Sequence, residues 1–303
     1  MSTLSEFEIQ LSVDKMSAVI IPSEGGVMSA LQINGYDFLC STPWANQPFG
    51  KIKPAADEIS WVKQWRGGWQ LCAPTTNQPA PSTTNSFHGN ASQSPWIVKH
   101  QNLSSVDLEW IDPNGNFKIN RSWSLLPNNK VVAKTSVENI GASTQNFDVA
   151  EHLIFGSQFL ANSLTGENIK LDLPNELKWI ELDYSGAPTG KEHAKAEITD
   201  SWINLNAKQP ARVFGISNPN PKIVSITADG WRAEVTWQGL PHAIIWQELA
   251  TSTDQPWNQQ VLALGIEPST AAHGLGATGK NAILINPADV FLWETSISFT
   301  LAK

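Results

Sequence analysis

The chain has 303 residues, 41% of them apolar and 16% charged, and a net charge of −8. That is enough apolar material for a sizeable core, and the composition is not that of a disordered chain. Uniform acidity without a basic run argues against nucleic acid and anionic membrane surfaces as partners.

The opening MSTLSEFEIQ has neither a basic nor an apolar region of the secretory kind, so no leader is expected. No apolar run approaches the roughly 18 residues of a membrane-spanning helix. Cys40 and Cys72 form neither a metal-ligand spacing nor a disulfide framework. Both read as small apolar fillers in a cytoplasmic protein. There are 14 Trp but only 2 Tyr. Most of the Trp belong to a core, and the surplus suits flat apolar platforms in a cleft that takes a ligand with C–H faces and hydroxyl edges.

Along the chain, period-2 alternation dominates. Strands are predicted at FEIQLSV, AVIIP and VMSALQIN, then at WIVKHQ, SVDLEWI, FKINRSWSL and KVVAKTSVEN. A second series follows at RVFGIS, KIVSIT, WRAEVTWQ, HAIIWQEL, QVLALGIE and VFLWETSISFTL. Turn chemistry separates them at 112–116 (DPNGN), 127–129 (PNN), 138–141 (ENIG), 218–221 (NPNP) and 228–230 (ADG). Close-spaced strands without intervening helices predict an all-β fold of antiparallel sheets, and no break in composition divides residues 1–303 into domains. Residues 73–96 stand apart as a Pro-, Ser-, Thr- and Asn-rich loop with Phe87-His88-Gly89 inside it, expected to close over a cleft.

Several motifs fail on context. GLGATGKN at 274–281 matches G-x-x-x-x-G-K but ends in Asn281 and precedes a strand pattern, AILINP, so it reads as a turn. Neither a G-x-S-x-G elbow nor an H-E-x-x-H spacing occurs, and the sequons at Asn90, Asn102 and Asn120 carry no meaning without a secretory signal.

Other segments carry more. In NFDVAEHLIFG, alternation puts Phe147, Val149, Glu151, Leu153 and Phe155 on one bulky face, and Asp148, Ala150, His152 and Ile154 on a smaller, more polar one. His152 is therefore the cleft residue, and Glu151 belongs to a paired, structural setting. In QVLALGIEPST, Val261, Ala263, Gly265 and Glu267 share a face of small residues that leaves room for a ligand beside the acid. In QWRGGWQLCAP, Arg66 precedes two glycines that let the backbone approach something closely.

Taken in order, RGGWQLCAP (66–74), FHGNASQSPW (87–96), VENIGASTQNFDVAEHLIF (137–155), TDSWINL (199–205) and LGIEPST (264–270) resemble the aldose 1-epimerase (galactose mutarotase-like) superfamily over roughly residues 60–300. The resemblance implies a large antiparallel β-sandwich, the galactose mutarotase-like supersandwich, and interconversion of the α and β anomers of a free sugar. It implies Glu267 as base and His152 as acid, with His88, Arg66 and Asp200 binding the sugar. The partner would be a small carbohydrate, the protein a monomer or homodimer, and neither a metal nor another cofactor is needed. The loop HGNASQ has no basic residue before Lys99, which favours a non-phosphorylated sugar. LIFG stands where the family has a Pro-Tyr-Phe run. The main alternative is a carbohydrate-binding protein without catalysis on the same fold. A glycoside hydrolase would need a second carboxylate beside Glu267, from Glu248 or Asp200.

Overall fold

In the computed structural model, which describes residues 8–78, 84–274 and 282–302, the alternating segments build two large antiparallel sheets. One sheet runs, in spatial order, Ile9–Val13, Met16–Ile21, Val27–Ile33, Trp69–Cys72, Ala150–Gly156, Leu262–Ser269, His242–Leu249, Arg212–Asn220, Glu176–Leu182 and Pro188–Ala194, with Tyr36–Asp37 paired to Val27–Ile33. The other runs Asn204–Leu205, Ile169–Asp172, Ile223–Ala228, Trp231–Gln238, Val290–Leu301, Lys130–Asn139, Phe117–Leu126, Ser105–Ile111 and Ile97–Gln101. Gln145–Phe147 and Ile283–Ile285 form a separate pair.

The central strands alternate as the sequence does. Phe117–Leu126 buries Phe117, Ile119, Arg121, Trp123 and Leu125 and turns the intervening residues outward. These inward rows join Leu11, Ile20, Trp69 and Leu153 of the first sheet in one apolar core between the layers. Burying such side chains contributes about 1.5–3 kcal/mol each before the entropy of ordering them is subtracted. Cys40 and Cys72 are both buried free thiols. Among the described residues no helix is long and apolar enough to cross a membrane.

Two expectations change, and a third is made specific. The predicted strand over 147–155 is two strands, Gln145–Phe147 and Ala150–Gly156, in different sheets. The predicted turn NPNP lies mostly inside a strand, because Arg212–Asn220 runs through Pro219. The two glycines after Arg66 approach neighbouring backbone, not a ligand: with φ of 87° and 86°, a Cβ on Gly67 or Gly68 would collide with the carbonyl of Cys40 or Met28. All of the G-x-x-x-x-G-K match except Gly274 lies outside the described residues, as do residues 79–83 of the long loop.

Candidate active site

The outer face of the first sheet carries a second apolar cluster, of Cys40, Ala55, Trp61, Val62, Trp65, Phe87, Ile154, Val261 and Ala263. Val261, Ala263 and Ile154 come from the two faces that alternation marks as small. Phe147, Val149, Leu153 and Phe155 lie in the inter-sheet core instead, so the division of faces holds across the break between strands.

The acid and the imidazole meet through strand register. Ala150–Gly156 and Leu262–Ser269 are adjacent and antiparallel, with Ala150 opposite Ser269 and Ile154 opposite Gly265. The same register sets His152 opposite Glu267, the geometry in which facing Cβ atoms lie about 4.5–5.5 Å apart. Gln70 flanks His152 on one side and Ile244 flanks Glu267 on the other.

His88 joins them from the loop, and all three side chains line one cleft. The His88 and His152 rings are 5.4 Å apart between centroids. His88 Nδ1 is hydrogen-bonded to the carbonyl oxygen of Thr76, so Nδ1 carries the proton and Nε2 is the free nitrogen. Thr76 is itself fixed, its hydroxyl donating to Asp148 Oδ2 at 2.8 Å.

The aromatic wall comes from a segment that lacks strand alternation. Asp57 caps the helix Glu58–Val62 by accepting from Ser60 N, and Trp61 and Trp65, four residues apart, stack at 5.5 Å and 21°. Their edges meet the His152 ring at 5.6 and 5.7 Å. Trp246 and Trp257 complete the wall, and the exposed Tyr184 stands at the rim.

Burial sets the protonation states. Glu267 is 7% exposed, and loss of hydration pushes its carboxyl up to about 8. Burial, and then the proximity of His88, hold His152 well below the usual imidazole value. Burial pushes His88 down to about 4, against the opposing bond to Thr76. At neutral pH the ligand-free site therefore holds a protonated Glu267 and two neutral imidazoles.

Gly265 explains where the carboxyl sits. A Cβ at that position would lie 2.5 Å from Glu267 Oε1 and 3.0 Å from Ile154 Cδ1, so the acid rests over the space that glycine leaves empty. Gly265→Ala is expected to displace the carboxyl, lower catalytic turnover at least 10-fold, and change the melting temperature little. Unchanged turnover in the alanine variant would remove this role.

The remaining sequence-predicted residues lie elsewhere. Arg66 is held away from the cleft as a clamp. Its Nε and Nη2 donate to Glu24 at 2.6 and 3.0 Å, and Nη1 and Nη2 donate to the carbonyls of Ala45 and Gln47 at 2.7 Å each. That geometry leaves little of the guanidinium for a sugar. Asp200 is exposed at the start of the helix Asp200–Ile203, whose Trp202 and Ile203 pack on the inter-sheet core. It does not line the cleft. Glu248 is no second catalytic carboxylate either, because it accepts from Thr251 N at 2.6 Å and Ser252 N at 3.1 Å and so closes the turn after its strand. Among the described residues, no three His, Cys, Asp or Glu side chains converge as metal ligands. Sequence reasoning missed Trp61, Trp65 and Glu58, although Asp57 and the four-residue Trp spacing are a legible helix signal.

Comparison with solved structures identifies the architecture. Slr1438 protein from Synechocystis sp. PCC 6803 superposes with a TM-score of 0.74 at 16% identity, covering 100% of both chains. A galactose mutarotase-like protein from Lactobacillus casei gives 0.72 at 11% identity, over 97% of this chain and 100% of the other. A putative aldose 1-epimerase from Escherichia coli K12 gives 0.69 at 14% identity, over 97% and 99%. The chain has the galactose mutarotase-like fold. No protein-family model matches the sequence, and no curated protein does. Within this fold the cleft lies on the outer face of the first sheet, where four adjacent strands present Gln70, His152, Glu267 and Ile244 in a row.

Proposed function

We propose that the protein is an aldose 1-epimerase that interconverts the α and β anomers of a free, non-phosphorylated sugar. The observation that carries this reading is the facing of Glu267 and His152 across adjacent strands, in one cleft walled by tryptophan. Ring opening needs a proton removed at one oxygen and a proton delivered at the other, and this pair holds one acid and one base.

The base takes the proton of the anomeric hydroxyl, and that C–O bond becomes a carbonyl as the bond from C1 to the ring oxygen breaks. The acid protonates the ring oxygen. Rotation about C1–C2 and reclosure by the reverse transfers give the other anomer. Glu267 serves as base and His152 as acid, with His88 Nε2 free to hydrogen-bond a sugar hydroxyl. Such paired transfer supplies roughly 10²- to 10⁴-fold. Tryptophan faces suit the C–H side of a pyranose. Among the described residues no Lys or Arg lines the cleft, so a phosphate dianion would find no cationic clamp there.

Resting protonation places the shared proton on Glu267, whereas the forward step starts with it on His152. The two arrangements differ only in where one proton sits, so they give the same pH profile. Turnover is expected to be level near neutrality. It falls above about pH 8, when the pair loses its only proton, and falls again well below pH 6.5, when both members are protonated and no base remains.

The test follows freshly dissolved α-anomers of glucose, galactose and other free aldoses by NMR or polarimetry. Acceleration with this profile supports the assignment. Saturable sugar binding without acceleration would replace it with a carbohydrate-binding protein on the same fold.

A further inference from the structure

Three side chains around His152 each have a buried polar atom without a protein partner: His152 Nδ1, Gln70 Oε1 and Trp65 Nε1. Buried polar atoms are normally bonded, so three such atoms on neighbouring residues need a common cause. Gln70 stands opposite His152 on the adjacent strand, and the Trp65 ring lies 5.7 Å from the imidazole. All three residues are more than nine-tenths buried. Gln70 Nε2 donates to the Ser92 carbonyl at 2.6 Å, which fixes the amide with Oε1 as its free end.

A buried water takes about two to four polar partners. The complement is right for one molecule: Trp65 Nε1–H and His152 Nδ1–H donate to its oxygen, and it donates to Gln70 Oε1.

We propose that a single water among these three atoms links Gln70 to His152 and holds the imidazole in the Nδ1–H tautomer, leaving Nε2 to exchange the proton with substrate. The catalytic part rests on the epimerase reading, while the tautomer does not. Gln70 is thus a positioning residue. An imidazole free to change tautomer would present N–H to the cleft for part of the time, where it neither accepts a proton nor becomes the required acid. The same acceptor also stabilises the imidazolium formed during the reaction, when both nitrogens are donors.

The experiment compares wild type, Gln70→Met and Gln70→Glu by ¹⁵N NMR of the His152 ring and by kinetics. Met keeps the volume and removes the acceptor. It is expected to lose the Nδ1–H tautomer and lower kcat roughly 10- to 100-fold, with KM changed by less than about 3-fold. Glu restores an acceptor and is expected to recover the tautomer, with the acidic limb of the pH profile moved to higher pH. Wild-type tautomer and kcat in the Met variant would overturn the inference. If that variant does not fold, an unmoved acidic limb in Gln70→Glu overturns it instead. If wild type accelerates no sugar, the epimerase reading falls, and the tautomer comparison of wild type with the Met variant still decides the role of Gln70.

Discussion

Glu267→Gln is expected to abolish anomer exchange and, at alkaline pH, to be more stable than wild type. The loss of activity follows because the amide can neither take nor give the proton, which removes roughly 10²- to 10⁴-fold of rate. The gain in stability follows from burial. Hydration lost on folding raises this carboxyl from 4.5 to about 8, so the folded state binds its proton more tightly than the unfolded state does. Between those values the unfolded chain has released a proton that the folded chain retains, and stability falls as pH rises through the window. It stays lowered above about pH 8. The full difference corresponds to roughly 5 kcal/mol as an upper bound. Glutamine has the shape and neutrality of the protonated acid and lacks this dependence. Melting temperatures of the two proteins should coincide near pH 4.5 and separate by on the order of 10 °C near pH 9. Parallel curves across that range would show that Glu267 is not held in a desolvated site, and the acid–base assignment would lose its electrostatic basis.

What the sequence carried was local periodicity. SVDLEWI, KVVAKTSVEN, WRAEVTWQ, HAIIWQEL and VFLWETSISFTL are strands with the bounds that alternation marks. A two-residue period also separates His152 from Glu151 and puts Glu267 on the small face of its strand. Pairing over distance is not written in any single segment. Register brings His152 to Glu267, 115 positions later in the chain. Arg66 shows the cost of local reading: Arg-Gly-Gly resembles a ligand-binding turn, but the partner of Arg66 is Glu24, on a different loop. Pro188–Ala194 was missed because it is an edge strand with nearly every residue exposed, so no alternation is imposed on it. The Trp61 helix escapes for a different reason: five residues give too few turns for a 3.6-residue period to stand out.

Glu151, the neighbour of His152, carries the other large expected effect, and it is structural. The carboxylate is fully buried and accepts four hydrogen bonds: from Arg121 Nη1 at 2.8 Å, Arg121 Nη2 at 2.7 Å, Trp69 Nε1 at 2.7 Å and Trp293 Nε1 at 2.6 Å. Arg121 is 1% exposed, lies 4.1 Å over the Trp123 ring and donates to Thr135 at 2.8 Å. Glu151 and Trp69 belong to the first sheet, while Arg121, Trp123, Thr135 and Trp293 belong to the second, so the cluster ties the layers through the core. Glu151→Leu would leave a guanidinium in a medium that cannot hydrate it, at a cost of about 3–5 kcal/mol. Arg121→Met would strand the carboxylate, with a similar cost. The double variant is expected to recover the part of the loss that comes from the stranded charge, while the indole N–H groups of Trp69 and Trp293 still lack their acceptor. Urea denaturation of the two single variants and the double variant measures this. If the double variant loses the sum of the single losses, the ion pair is not the source of the effect. The recovered double variant also separates stability from catalysis: its anomer exchange should remain close to wild type, because Glu151 faces the core and only His152 of this adjacent pair reaches the cleft.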